Sequence, residues 1–119
     1  MLIEFIISIL IGVILGTFTG LVPGIHINLV GAILISTSTK FALSINPFYL
    51  IAIIVSMAIT HIFVDFIPSI FLGCPDTDTE LSILPGHEML KQGKGYEAIT
   101  LALYGGLAAT IVLMPLAFP

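Results

Sequence analysis

Residues 2–28 read LIEFIISILIGVILGTFTGLVPGIHIN, and these 27 residues decide the fold. From Leu2 to Leu21 there is one charge, Glu4, near the start of an otherwise apolar run. Wound as an α-helix at ~1.5 Å per residue, that run crosses a hydrocarbon core of ~30 Å. Val22-Pro23-Gly24 then interrupts it. Proline removes a backbone donor and crowds the preceding turn, while glycine accepts angles closed to other residues, so the helix breaks or kinks here. Beyond the break lie two polar residues, His26 and Asn28, inside apolar sequence.

The rest of the chain repeats this pattern. Ile25 to Ser38 is apolar but too short to span comfortably, which predicts a half-helix or a re-entrant arm. Asn46-Pro47 is a turn signal of the kind that precedes a new helix. Phe48 to Val64 is uncharged and predicts a second span that holds His61 and closes at Asp65. Pro68 to Gly86 carries three prolines and the acidic residues Asp76, Asp78 and Glu80, so it is not one regular helix. Met89 to Gly95 is a short polar linker, and Tyr96 to Phe118 predicts a third span with Glu97 in its first turn, where the helix dipole favours an anion. The expected fold is thus an all-α integral membrane protein with about three transmembrane helices plus broken or re-entrant half-helices, residues 1–119 forming a single transmembrane domain of a multi-pass protein in the cell membrane.

Composition supports lipid as the solvent. Of 119 residues, 58% are hydrophobic and 8% charged, with a mean hydropathy of +1.22. Soluble domains average about 25% charged residues, and a deficit of this size leaves too little polar surface to face water. A net charge of −4 with only Lys40, Lys91 and Lys94 as cations excludes nucleic acid as a partner, because phosphates need a basic patch. Cys74 is the single cysteine, so the chain holds no internal disulfide and no multi-cysteine metal site; no cofactor is expected. The opening Met-Leu-Ile-Glu lacks a cationic n-region, and the first segment is read as retained rather than cleaved.

Gly12, Gly16, Gly20 and Gly24 recur every fourth residue, and the register continues through Asn28, Ala32 and Ser36. A face stripped of bulk lets another backbone approach closely, the usual basis of helix packing in lipid. Pro23-Gly24 is read differently from the rest, because discontinuous helices free backbone groups that bind solutes and ions near the midplane. A plain proline kink is the competing reading. The second interruption, Gly73-Cys74-Pro75-Asp76-Thr77-Asp78-Thr79-Glu80, offers carboxylate and hydroxyl oxygens suited to a hard cation, against the alternative of a solvated loop. A calcium-loop reading fails, since the sixth position is Leu81 and the twelfth His87. His61 and Asp65 share a helix face as a proton-relay pair could, or serve structure alone; His87 is read as a solvated turn residue.

Three stretches in series carry a family resemblance: Gly16-Thr-Phe-Thr-Gly20-Leu-Val-Pro23-Gly24-Ile-His-Ile-Asn28, Ile67-Pro68-Ser-Ile-Phe-Leu-Gly73-Cys-Pro75, and Leu84-Pro-Gly86-His-Glu-Met-Leu-Lys-Gln-Gly93-Lys-Gly-Tyr-Glu-Ala98. Together they resemble the TctA family, the large membrane subunit of tripartite tricarboxylate transporters. The resemblance implies an ion-coupled secondary carrier of carboxylates whose Pro-Gly breaks lie near the transport site, working with a small membrane subunit and an extracytoplasmic binding protein. Pro23 and Gly24 match the first break and Pro75 the second, while Gly86 and Gly93 match the segment before the next span. Where the family tends to read Pro-Gly-Thr, this chain reads Pro75-Asp76-Thr77, an acidic change that suits cation coupling better than direct anion contact. The family's proteins are several times longer, so the chain is expected to form the N-terminal part of one.

These readings nominate Pro23, Gly24, His26, Asn28, Gly73 and Pro75 for the solute, a small anion, and Asp76, Thr77 and Asp78 for the coupling cation. The two breaks are expected to face each other. The rival readings are a non-transporting membrane scaffold or assembly subunit that uses the glycine face to bind another chain, and an intramembrane enzyme using His26, His61 and Asp65 or Asp65 with Asp76; a homo-oligomer is the alternative to a longer chain, and a stand-alone carrier the alternative to a tripartite system. No spacing here matches a catalytic motif, and the chain is read as not an enzyme.

Overall fold

A computed structural model describes residues 1–40, 46–74 and 80–117. They form five helices, α1 (Leu2–Leu21), α2 (Ile27–Lys40), α3 (Pro47–Leu72), α4 (Glu80–Lys91) and α5 (Gly95–Ala117), and no strand occurs among them. Three of the helices, α1, α3 and α5, are long and apolar enough to cross a membrane. Their hydroxyl groups suit such a setting, since Ser8, Thr17, Ser56, Thr60, Thr100 and Thr110 each donate to a carbonyl one turn back on their own helix. No lipid-facing hydroxyl of this set depends on water.

The chain divides into two compact units, Met1–Asp65 and Phe66–Pro119, with the division falling inside α3. In the first unit, α1 packs on α3 through the glycine face. A Cβ at Gly12 would meet Ser56 Oγ and come within 2.5 Å of Ile53 O; at Gly16 it would meet Met57 O and come within 2.8 Å of Thr60 Cβ; at Gly20 it would lie 2.9 Å from His61 O and from Val64 Cβ. The backbones touch without intervening side chains at three successive turns, as small-residue faces allow. At the other end of the same seam Phe5 stacks on Phe48 with ring centroids 5.2 Å apart, and Tyr49 donates its hydroxyl to Glu4 Oε2 at 2.7 Å.

Contacts therefore advance together along both helices, from Phe5 with Phe48 to Gly20 with Val64, which makes α1 and α3 parallel. The first arm is a helix of 14 residues, shorter than the three long ones. The small face does not continue into α2 as its spacing predicted: Asn28, Ala32 and Ser36 are exposed, and it is Gly31 that is buried, with its Cβ position 3.8 Å from Ile54 on α3.

Helix starts and stops follow local chemistry. Asn46 caps α3, its Oδ1 accepting from Phe48 N at 3.0 Å and its carbonyl from Tyr49 N at 2.9 Å, with Pro47 at the first helical position. The helix then runs past its expected close at Asp65, through Pro68, to Leu72. Pro68 lies near the end of a long helix, where losing one backbone bond leaves many others to hold the axis. Gly73 ends α3 in the left-handed region (φ +65°), with Gly73 N and Cys74 N both on Ser69 O. Gly93 ends α4 the same way (φ +78°), with Lys94 N on Met89 O at 2.9 Å. The polar linker is accordingly shorter than expected, since Met89 to Lys91 still belong to α4.

In the second unit α4 packs against α5 and against the last turns of α3. Phe66, Ile70, Ile83 and Ala98 form its core, with Met89, Leu90, Ile99, Ala102 and Leu103 packed around them. The apolar residues farther along α5, such as Leu107, Ile111 and Val112, are exposed, as suits a helix whose solvent is lipid.

Candidate functional site

The first break is built by a three-residue stop. Val22, next to a proline, is forced out of the helical region to φ −103°, ψ 106°, and α1 ends. Pro23 and Gly24 then occupy the two central positions of a turn closed by Ile25 N on Val22 O at 3.4 Å, with Gly24 at φ +85°. Proline first and a positive-φ glycine second is the pattern of a type II turn. The carbonyl of His26 accepts from Leu29 N and Val30 N as α2 begins. Pro23, Gly24, His26 and Asn28 are all exposed, and nothing lies within 4 Å of a Cβ placed on Gly24. The break thus presents the start of α2, whose dipole is positive at this end. An anion is the charge type that such a terminus favours.

One turn before this break lies a buried polar pair that the sequence reading did not assemble. His61 and Thr19 are 6% and 7% exposed, and His61 Nδ1 lies 3.0 Å from Thr19 Oγ1. The Thr19 hydroxyl also lies 3.2 Å from Gly16 O, so Thr19 links the ring to the α1 backbone. The available signal was Thr19, three residues beyond Gly16 on the glycine side of α1. His26, His61 and Asp65 do not converge: among the described residues no three His, Cys, Asp or Glu side chains are placed to hold a metal ion.

The second break begins at Gly73, followed by an exposed Cys74. Pro75, Asp76, Thr77 and Asp78 lie outside the described residues. His87, expected in a solvated turn, is instead a half-buried residue of α4 whose Nδ1–H donates to Ile70 O at 2.8 Å. The adjacent Glu88 is paired with Lys91 at 2.9 Å, and that ammonium holds the carboxyl below the usual carboxylate range.

The comparisons with known proteins agree with the resemblance. The sequence model described as "Tripartite tricarboxylate transporter TctA family" matches residues 6–119. The chain is also similar to uncharacterized protein MJ1079 of Methanocaldococcus jannaschii, at 42% identity over 104 residues, which are 87% of this chain and 25% of that protein. The chain thus spans about a quarter of the length of that curated relative. No solved structure matches.

Proposed function

The chain belongs to the tripartite tricarboxylate transporter TctA family, and from that premise we propose that it builds part of the pathway by which a small carboxylate crosses the membrane, coupled to a cation. It is a multi-pass membrane protein with three long apolar helices, in a family of transporters rather than of enzymes. The observation that carries the proposal is the first break: a Pro23-Gly24 turn that exposes the start of α2 between apolar helices. Its positive dipole end is the feature that broken transporter helices turn toward carboxylates. Pro23 and Gly24 set the turn, and His26 and Asn28 supply polar contacts to the solute. At the second break, Gly73 and Pro75 complete the solute site, and Asp76, Thr77 and Asp78 hold the coupling cation. Residues 1–119 act as one transmembrane domain alongside a small membrane subunit and an extracytoplasmic binding protein.

The glycine face weighs against the scaffold reading. That reading used Gly12, Gly16 and Gly20 to bind another chain, and this protein's own α3 already covers them.

The test is uptake of labelled citrate into proteoliposomes holding the complete transporter. Asn28→Asp sets a like charge beside the carboxylate and should raise KM by at least ~10-fold, since one unit charge a few ångströms away costs more than ~1.4 kcal/mol at the effective dielectric of a protein. An unchanged KM would remove the first break from the site. Asp76→Asn together with Asp78→Asn should abolish cation dependence; if it persists, the coupling assignment is wrong.

A further inference from the structure

We propose that His61 is a proton-binding site of the carrier, and that the proton it takes up travels with the solute. The inference deepens the carrier reading above, on which it rests, by giving the proton a place on a residue that reading leaves unused.

His61 lies inside the membrane. Along α3 it follows Pro47 by roughly 21 Å at ~1.5 Å per residue, within a hydrocarbon core of ~30 Å. The ring is buried there against α1. An ionisable side chain at such depth is costly, and it marks proton and ion paths in membrane proteins. The α1–α3 seam closes without it: Ser8, Ser56 and Thr60 bond to carbonyls of their own helices, and the rest of the contact is glycine against backbone and Cβ atoms. Histidine is also the side chain whose ordinary charge change falls between about pH 5 and 8. Among the described residues no three His, Cys, Asp or Glu side chains are placed to hold a metal ion, which leaves the proton as the cation this ring can bind.

The pair with Thr19 suits both charge states. Thr19 Oγ1 lies 3.0 Å from His61 Nδ1 and 3.2 Å from Gly16 O, so its one hydrogen has two acceptors in reach. When Nδ1 is bare, the hydroxyl donates to the ring. When both ring nitrogens carry protons, Nδ1–H donates to Oγ1 and the hydroxyl hydrogen turns to Gly16 O. Rotation of one hydroxyl makes the change, and no heavy atom has to move. A proton arriving from the water on one side forms one N–H bond and gives the ring a charge of +1; it leaves by breaking that bond toward the other side.

The solute supplies the balancing charge. Thr19 stands one turn before the Pro23-Gly24 break, beyond which α2 begins. A carboxylate at that break and an imidazolium at His61 attract each other in a medium of low dielectric, so each raises the affinity for the other. Few other titratable groups are on the elements of this unit. Glu4 is the only one on α1 and lies at the far end of the seam, bonded to Tyr49 of α3. His26 precedes α2 and Lys40 ends it. Asp65 follows His61 by one turn on the same face of α3, and its ionised form favours the charged ring.

The experiment uses the complete transporter in proteoliposomes, with sodium equal on both sides so that it drives nothing. Wild type should accumulate labelled citrate when the outside is the more acidic, and a trapped pH dye should show the lumen acidify with uptake. His61→Gln keeps a hydrogen-bonding partner for Thr19 but takes up no proton. It should lose gradient-driven uptake by at least ~10-fold, while its exchange of internal for external citrate at equal pH stays within about threefold of wild type. A histidine that serves packing alone would lose uptake and exchange together. A second readout needs no variant: nitrogen NMR of the His61 ring in lipid nanodiscs should show saturating citrate raising the imidazolium-to-imidazole ratio at fixed pH by at least ~5-fold. The inference is overturned if His61→Gln accumulates citrate as wild type does, if uptake and exchange fall together, if only a sodium gradient drives wild type, or if citrate leaves the ring ratio unchanged. Where His61→Gln does not assemble, the NMR ratio decides alone. If wild type neither accumulates nor exchanges citrate under any gradient, the carrier reading fails and the inference with it; if it exchanges citrate and one of the overturning results is found, only the proton site fails.

Discussion

Replacing Gly16 with alanine adds one methyl group in the middle of the α1–α3 seam. That carbon would lie 2.8 Å from Thr60 Cβ, 3.1 Å from the Met57 carbonyl carbon and closer still to the Met57 oxygen. Carbon atoms in good contact sit at ~3.5 Å or more, so the shortfall is about 0.7 Å. Every neighbour is backbone or a Cβ, and none can rotate away; α1 must withdraw. A gap of that size forfeits a quarter to a half of each contact, and a seam of a few dozen atom pairs at ~0.15 kcal/mol each then loses roughly 1–2 kcal/mol. Overpacking in well-filled cores costs about 1–3 kcal/mol, in agreement with this figure. Alanine also favours helix over glycine by up to ~1 kcal/mol, which would mask part of the loss. Gly105→Ala on α5 removes that ambiguity, because nothing lies within 4 Å of its Cβ position while the helical gain is the same. Reversible unfolding in mixed lipid–detergent micelles, followed by helical circular dichroism against SDS mole fraction, should place Gly16→Ala about 1–3 kcal/mol below Gly105→Ala. Equal stabilities, within about 0.5 kcal/mol, would refute the claim that α3 fills the glycine face.

Thr19→Val leaves the buried His61 Nδ1 without its hydrogen-bond partner and should cost roughly 1–3 kcal/mol in the same assay, while Thr19→Val with His61→Leu should recover much of the loss because both polar groups are gone. Asn46→Ala removes the cap of α3 and should cost about 1 kcal/mol, seen as faster hydrogen exchange at Phe48 and Tyr49 than at Ile53. Glu88 has its carboxyl held below the ordinary range by Lys91, so the pair's contribution is full above the unfolded carboxylate pKa and is lost as pH falls through the lower folded value. An NMR titration of Glu88 in the wild type and in Lys91→Met should show its midpoint move upward when the ammonium is removed.

Much of the architecture was legible because it depends on local composition. Leu2 to Leu21 reads as a span from hydropathy and length alone, and Asn46-Pro47 marks the start of α3 because capping is decided within a few residues. The stop at Val22-Pro23-Gly24 was legible for the same reason. Its details, an extended Val22 and a left-handed Gly24, are what proline and glycine impose on any chain. Prolines misled where their context was helical on both sides: Pro68 and Pro85 lie inside α3 and α4, because one missing backbone bond does not outweigh packing against Ile70, Ile83 and Ala98.

The sequence by itself determined the solvent, the three long helices, the two breaks and the existence of a close-approach face, since each follows from residue types within one or two turns. Only the tertiary structure decided what meets that face. Gly12, Gly16 and Gly20 state that some backbone comes near, but glycine carries no side chain that names its partner, and the choice of a parallel α3 some 40 residues away is a property of the folded seam. The same holds for the two histidines. A histidine's ring nitrogens bond to whatever polar group the fold sets beside them, and these partners, Thr19 Oγ1 for His61 and Ile70 O for His87, are 42 and 17 residues distant in the chain and are set within hydrogen-bonding reach only by helix packing.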